Sequence, residues 1–363
     1  MIPFDKEETI RAFQNALLDW YQCNKRILPW RDNPTPYRVW ISEIMLQQTR
    51  VDTVIPYFER FLKRYPTIAD LASADDDELA KQWEGLGYYT RVRNLKKAAQ
   101  IIVERYASEF PEDEASIGAL PGIGPYTLGA IQSIAFGKKR AAIDGNVLRV
   151  FARITANFGD ISSDSVKREI GAIVTKTLPN ERNSDYTQGL MEIGATVCLP
   201  NGAPKCEVCP IQRFCLAYRD QLIEAIPMKK MAKARNIERK TVFVLVTQDR
   251  RVALRKRNSS GLLAGLWEFY NCDGDLLPSE WLAMAGDAAG LVVSVGQLTD
   301  HTHLFSHIEW RMKGYAIVVE KPFEIDRMVW VEISRLRQEF SIPTAFRPYV
   351  EWLRTQGFEK FEL

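Results

Sequence analysis

Four cysteines, Cys198, Cys206, Cys209 and Cys215, fall within eighteen residues, while Cys23 and Cys272 stand apart. Thiolates are the ligands that soft iron and zinc prefer. Structural zinc usually draws two Cys-x-x-Cys pairs separated by a dozen or more residues, so one compact run with a single such pair favours a cubane 4Fe–4S cluster over zinc. Cys23 and Cys272 read as ordinary buried or half-buried thiols. Two carboxylates have settings that call for a reason. Glu43 lies in the apolar run Trp40-Ile41-Ser42-Glu43-Ile44-Met45-Leu46, where a charge needs a partner or a task; burial would raise its pKa and make it a proton donor near neutral pH. Taken alone, a structural pair is the commoner fate of such a residue. Asp144, in Ala142-Ile143-Asp144-Gly145-Asn146-Val147, has the form of a helix N-cap.

Leu120-Pro121-Gly122-Ile123-Gly124-Pro125-Tyr126-Thr127 sits between two helical stretches and reads as a helix-hairpin-helix at about 116–136. Gly122 and Gly124 let the backbone approach a phosphate, and the free amides that open the second helix can donate to it. Such contacts position DNA without reading its sequence; an ordinary helix-to-helix turn is the alternative. Thr49-Arg50-Val51-Asp52 has the form of a capping box, which puts Gln47 and Gln48 in a bend where amides can reach bases. Gly85-Leu86-Gly87-Tyr88-Tyr89 presents an aromatic ring on a turn, and Pro29-Trp30-Arg31 pairs a stacking surface with a planar donor fork.

The elements that must hold these groups divide in two. From residue 1 to about 218 the apolar period is helical, as in Arg91 to Tyr106, where Val92, Leu95, Ala99, Ile102 and Val103 share a face. Thr35-Pro36 and Ala74-Asp75-Asp76-Asp77-Glu78 mark helix starts, and Gly85 with Gly87 a stop. Residues 219–237 are poor in large apolar side chains and rich in Lys and Arg, and read as a basic linker. The period then becomes that of strands, in Thr241 to Thr247, Val252 to Leu254 and Gly314 to Glu320. The expected fold class is therefore multidomain, an all-α region at 1–218 followed by an α+β domain at 238–363. The 363 residues are 46% hydrophobic and 26% charged, with a net charge of +2, which excludes a largely disordered chain and assigns any nucleic-acid affinity to the placement of charge. Acids in MIPFDKEETI, and no run of about eighteen apolar residues, set the expectation of a cytoplasmic protein without a membrane partner.

Together these segments resemble the adenine DNA glycosylase (MutY-type) branch of the endonuclease III superfamily over essentially the whole chain. The carriers are Leu28-Pro29-Trp30-Arg31, Ser42 to Val51, Gly85 to Tyr89, Leu120 to Gly124, Ile143 to Val147 and the cysteine run, with Gly265-Leu266-Trp267-Glu268-Phe269 and Leu304-Phe305-Ser306-His307 in the second domain. The resemblance implies a base-excision-repair hydrolase that flips adenine out of double-stranded DNA, where it is mispaired with 8-oxoguanine or guanine, and cuts its N-glycosidic bond. It assigns Glu43 as the acid, Asp144 as the stabiliser of the sugar cation, and Asn146 and Tyr126 as orienting groups. Arg26, Trp30, Arg31, Leu46 and Gln188 would line the adenine pocket. Gln48, Thr49 and Tyr88 would contact the opened stack, Gly122 and Gly124 the backbone, and Phe305, Ser306 and His307 the lesion.

It further implies a 4Fe–4S cluster on Cys198, Cys206, Cys209 and Cys215, a loop at 198–215, and a Nudix-like lesion-recognition domain. That domain lacks the glutamate helix of Nudix hydrolysis. Seven residues separate Cys198 from Cys206 where the family has six. Lyase relatives carry a lysine where this chain has Tyr126, and a phenol cannot form a Schiff base, so little or no strand cleavage is expected. A bacterial-type, nucleoid-associated monomer completes the expectation; other repair proteins as partners are not readable. The rivals are a bifunctional pyrimidine-damage glycosylase and lyase, a Nudix-type pyrophosphatase, and a non-enzymatic damage binder.

Overall fold

The computed structural model describes residues 4–230 and 234–355. Contacts divide the chain into a first unit, Met1–Ser73 with Arg93–Met231, and a second, Ala74–Val92 with Ala232–Leu363. The helices up to the cysteine loop are α1 (Glu7–Asn24), α2 (Pro36–Leu46), α3 (Val51–Arg64), α4 (Ile68–Ala72), α5 (Asp76–Gln82), α6 (Thr90–Tyr106), α7 (Glu114–Gly118), α8 (Pro125–Ala130), α9 (Gly145–Ile154), α10 (Asp164–Lys176), α11 (Asn183–Thr196) and α12 (Leu216–Arg219). A π-helical turn, Ile131–Ala135, continues α8.

Local chemistry sets the helix starts. The Thr35 hydroxyl accepts from the Arg38 amide at 3.3 Å, with Pro36 in the first turn of α2. Asp75 accepts from the amides of Asp77 and Glu78 to open α5, whose first turn is acidic, as the helix dipole favours. The N-cap of α3 is Arg50, without a side-chain bond, so the capping box expected at Thr49 does not form; the Thr49 hydroxyl turns back to the Gln47 carbonyl at 3.4 Å. On α6 the buried stripe runs through Val92, Leu95, Ala98, Ala99 and Ile102, and Val103 falls on its edge, 37% exposed.

Phe4, Phe13, Phe151, Tyr186 and Phe214 meet edge to face at the centre of the first unit's core. Part of the stretch expected as linker joins this core. Ile226 is buried, Leu222 and Ile223 pack beside it, and the Ile161 amide donates to the Met228 carbonyl at 3.1 Å. Three aliphatic side chains in five residues suffice to hold it down, despite the basic composition around them.

In the second unit the strands are β1 (Asn236–Thr247), β2 (Arg251–Lys256), β3 (Trp267–Glu268), β4 (Tyr270–Asp273), β5 (Val292–Leu304), β6 (Ile308–Val319) and β7 (Val329–Glu332). They form a sheet in the order β3-β2-β1-β6-β5, with β4 also on β1 and β7 on β2; β1 and β6 pair in parallel from Asn236↔Ile308 to Thr247↔Val319. β1 is buried on both faces: Val242, Val244 and Val246 belong to one core, Phe243 and Leu245 to the other. Besides α5, this unit holds the helices α13 (Pro278–Ala285), α14 (Leu336–Glu339) and α15 (Arg347–Thr355). α13 carries a single acid, Glu280, which accepts from the Leu277 amide at the helix's own start.

Candidate active site

α2 is nearly all buried, and Glu43 on it is 5% exposed. The carboxylate opens into a cavity of about 720 Å³, within the range of small-molecule sites, roughly 300–1,000 Å³. Across it the hydroxyl of Tyr126, the second residue of α8, donates a short hydrogen bond to Glu43 Oε2. Burial pushes the Glu43 carboxyl up to about 7, against the lowering effects of Tyr126 and Arg31, with nearby Asp144 adding to the rise. Burial and the Glu43 charge hold the Tyr126 phenol well above its ordinary value, so it remains a donor.

Asp144 is both things the sequence allowed. Its Oδ1 caps α9 by accepting the Val147 amide at 2.7 Å, and its Oδ2 accepts from Asn146 Nδ2 at 2.7 Å. It lines the same cavity as Glu43. Burial raises its pKa, opposed by those hydrogen bonds and by Arg149. Arg26, Trp30, Arg31, Leu46, Gln48, Thr49, Gly122, Gly124 and Gln188 line the cavity as well. Gly122, at φ 81°, shapes the hairpin; a Cβ there would lie 2.9 Å from the Asn94 side chain. Gln48, at φ 57°, holds a left-handed conformation at the bend between α2 and α3. Tyr126 and Asp144 also face a second hollow of about 730 Å³, lined by Lys139, Arg140, Lys167 and Arg168.

Sequence reasoning missed three buried charges here. Glu192 on α11 accepts Nε of Arg26 at 2.6 Å and Nη2 of Arg31 at 2.8 Å. Arg149 donates to Asn146 Oδ1 at 2.8 Å, to the Gly194 carbonyl at 2.6 Å and to the Cys198 carbonyl at 2.8 Å. Arg153 reaches Cys198 Sγ at 3.2 Å. The readable signal was a charged residue inside an apolar helix, the one that marked Glu43.

Cys198, Cys206, Cys209 and Cys215 line one small hollow between α9, α11 and α12. Burial pushes the thiols of Cys209 and Cys215 up to about 12 and about 11, so they become thiolates only when a cation compensates them. Four thiols lining one hollow are a donor set that soft iron or zinc would accept. Cys23 is exposed, contrary to expectation, and Cys272 half-buried.

In the second unit, Phe305-Ser306-His307 form the tip of the β5–β6 hairpin, closed by the Phe305 amide on the Ile308 carbonyl at 2.8 Å. Ser306 and His307 are exposed. Phe305 turns inward, edge-on to Trp310 at 4.9 Å, and so anchors the tip. The Tyr88 and Ser306 hydroxyls are 2.7 Å apart. Tyr88, at φ 48°, is 49% exposed. Glu268, 3% exposed, is held by Arg255, Arg257 and Asn271.

A helical hairpin beside the buried Glu43 and the half-buried Asp144, followed in the chain by a Nudix-like sheet, defines a helix-hairpin-helix base-excision glycosylase. Residues 41–176 match the model of the HhH-GPD superfamily base excision DNA repair protein, and 241–352 that of the NUDIX domain. The chain is 36% identical to the adenine DNA glycosylase of Buchnera aphidicola subsp. Schizaphis graminum, over 76% of this chain and 79% of that protein. It is 32% identical to the adenine DNA glycosylase of Mus musculus, over 98% and 81%. Among solved structures, a thermostable thymine-DNA glycosylase aligns with TM-score 0.52 at 28% identity, over 58% of this chain and 97% of that one. A trapped endonuclease III–DNA covalent intermediate gives 0.51 at 25% identity, over 60% and 99%. The chain belongs to the adenine DNA glycosylase family.

Proposed function

We propose that the protein hydrolyses the N-glycosidic bond of adenine mispaired with 8-oxoguanine, or with guanine, after the adenosine has rotated out of double-stranded DNA into the Glu43 cavity. The observation that carries this is a buried glutamic acid, hydrogen-bonded by Tyr126, in one cavity with a second carboxylate; burial pushes its pKa up to about 7. Trp30 and Leu46 offer apolar surface to the purine, and Arg26, Arg31 and Gln188 its polar edge. Glu43 gives its proton to N7 as the C1′–N9 bond breaks, and adenine leaves neutral. The positive charge remaining on the sugar is stabilised by Asp144 in a site of low dielectric. Water adds at C1′ and releases a proton, returned to Glu43 with Tyr126 and Asn146 holding the groups in place.

The hairpin amides at Gly122 and Gly124, and the cations of the second hollow, suit the phosphates flanking the extruded sugar. Gln48 and Thr49, at the cavity rim, would fill the space the adenosine leaves, and Tyr88, exposed on its turn, would contact the opened stack. Ser306 and His307 present a donor and an acceptor to the opposite base. No lysine is among the described residues lining the cavity, so strand cleavage is not expected. A 4Fe–4S cluster held by Cys198, Cys206, Cys209 and Cys215 would tie α11, the cysteine loop and α12 together; bound, it supplies a multivalent cation to four thiolates.

The test is single-turnover adenine release from duplexes with adenine opposite 8-oxoguanine, guanine or thymine. The parent should prefer 8-oxoguanine and slow as pH rises past about 7, where Glu43 loses its proton. Replacing Ser306 and His307 by alanine should erase the preference, by about tenfold for one lost polar contact pair, while leaving release opposite guanine. Parental rates and preference in that double variant would remove the lesion-reading role.

A further inference from the structure

Glu192 lies about one turn before the end of α11, its side chain 1% exposed. Its Oε1 accepts from Arg26 Nε at 2.6 Å and from the Arg26 backbone amide at 3.2 Å; its Oε2 accepts from Arg26 Nη2 at 3.1 Å and Arg31 Nη2 at 2.8 Å. Arg31 is fixed at its other nitrogens by Gln188 Oε1, one turn earlier on α11, at 3.0 Å, and by the Arg26 carbonyl at 2.9 Å. Every oxygen of Glu192 is thus committed to the two arginines that line the purine cavity. Burial alone would raise its pKa, yet the hydrogen bonds and charges of Arg26 and Arg31 outweigh it and keep the carboxylate ionised.

We propose that Glu192 is a positioning residue that fixes Arg26 and Arg31 against the purine and balances the charge that Arg31 projects onto Glu43. The inference rests on the reading of Glu43 as the proton donor. Glu43 is faced by Tyr126 from α8, by Asp144 at the start of α9, and by Arg31 from the segment after α1. Arg31 in turn stands over the ring of Tyr21 on α1, 5.6 Å from its centroid, and the charge of Asp52 on α3 reaches Arg26. Burial raises the Tyr21 phenol to about 12, so it stays neutral throughout the working range. Among these groups Arg31 is the cation acting on Glu43, and it lowers that acid's proton affinity. Removing the negative charge of Glu192 leaves Arg31 unopposed, so Glu43 should release its proton at lower pH. A purely structural residue would alter the plateau rate or the folded fraction without moving the limb.

The experiment uses the full-length, cluster-loaded protein and single-turnover adenine release from a duplex with adenine opposite 8-oxoguanine, across about pH 5 to 9. Glu192→Gln keeps the shape and removes the charge; its alkaline limb should move to lower pH by about half a unit or more, with the rate loss larger at high pH than at low. Glu192→Asp keeps the charge and should return the limb to its parental position, whatever its plateau. An unmoved limb in Glu192→Gln, or a shift to higher pH, overturns the inference, as does a limb displaced equally in both variants. Glu43→Gln is run alongside: release at the parental rate would overturn the donor reading itself, whereas an inert Glu43→Gln beside an unmoved Glu192→Gln limb overturns this inference alone.

Discussion

Both units of the molecule bury glutamates, and two of them, Glu43 and Glu268, have opposite fates. Glu43 in the helical unit meets a phenol and shares its cavity with a second carboxylate, and the cation acting on it, Arg31, is already engaged by Glu192. Glu268 in the sheet unit meets two guanidinium groups and an amide. Removal from water is common to both; the company is not. A carboxyl group without a free cation keeps its proton to about pH 7 and can give it away. One between two arginines serves as a strut for β2 and β3, which carry Arg255 and Glu268.

The largest way to break this contrast is Glu43→Gln. Adenine release should fall by about a thousandfold, within the range attributed to a positioned general acid. Stability should move the other way. The folded pKa of Glu43 lies above its unfolded value of 4.5, so the folded state holds a proton that the unfolded state gives up; stability therefore declines as pH rises from about 4.5 to about 7 and is then flat. Glutamine escapes that loss, and thermal unfolding at neutral pH should show a gain on the order of 3 kcal/mol. If the variant is no more stable than the parent, Glu43 is not held protonated. Glu268→Gln should instead destabilise the sheet unit by about 2 kcal/mol, because partly exposed arginines lose their counter-charge. Amide exchange in β1 and β2 would register this, with adenine release opposite guanine little changed.

A smaller effect comes from Gly194 on α11. A Cβ built there lies 2.4 Å from the Asn146 Cβ, so Gly194→Ala must displace Asn146 from Asp144. Release should slow by about tenfold, roughly 1.4 kcal/mol in barrier height, although alanine is the better helix former. An unchanged rate would show that Asn146 does not orient the carboxylate.

Much of this was legible in the chain. Glu43 stood out because seven consecutive residues of its helix leave it no solvated face. Asp144 and the hairpin announced themselves through backbone chemistry, which is local and therefore readable. Glu192 was passed over in Met191-Glu192-Ile193-Gly194, although the same logic of a charge among apolar neighbours applies. Its partners lie more than 160 residues away, at sequence separations of 166 and 161, and only folding brings them together. Arg149 and Arg153 escaped for that reason too. Thr49 misled because its form matched a cap while α3 opens one residue later. The linker's basic composition hid the three aliphatic residues that pack Leu222 to Ile226 onto the helical core.

Gln48 and Tyr88 both hold left-handed backbones that glycine would adopt freely. For residues with a Cβ that geometry carries a penalty of roughly 1–2 kcal/mol. The turns are consequently sprung before any nucleic acid arrives, and each carries a side chain at its apex instead of a bare hinge. Trading either for glycine would relax the polypeptide while blunting the tip, a bargain that sturdier folding alone would favour.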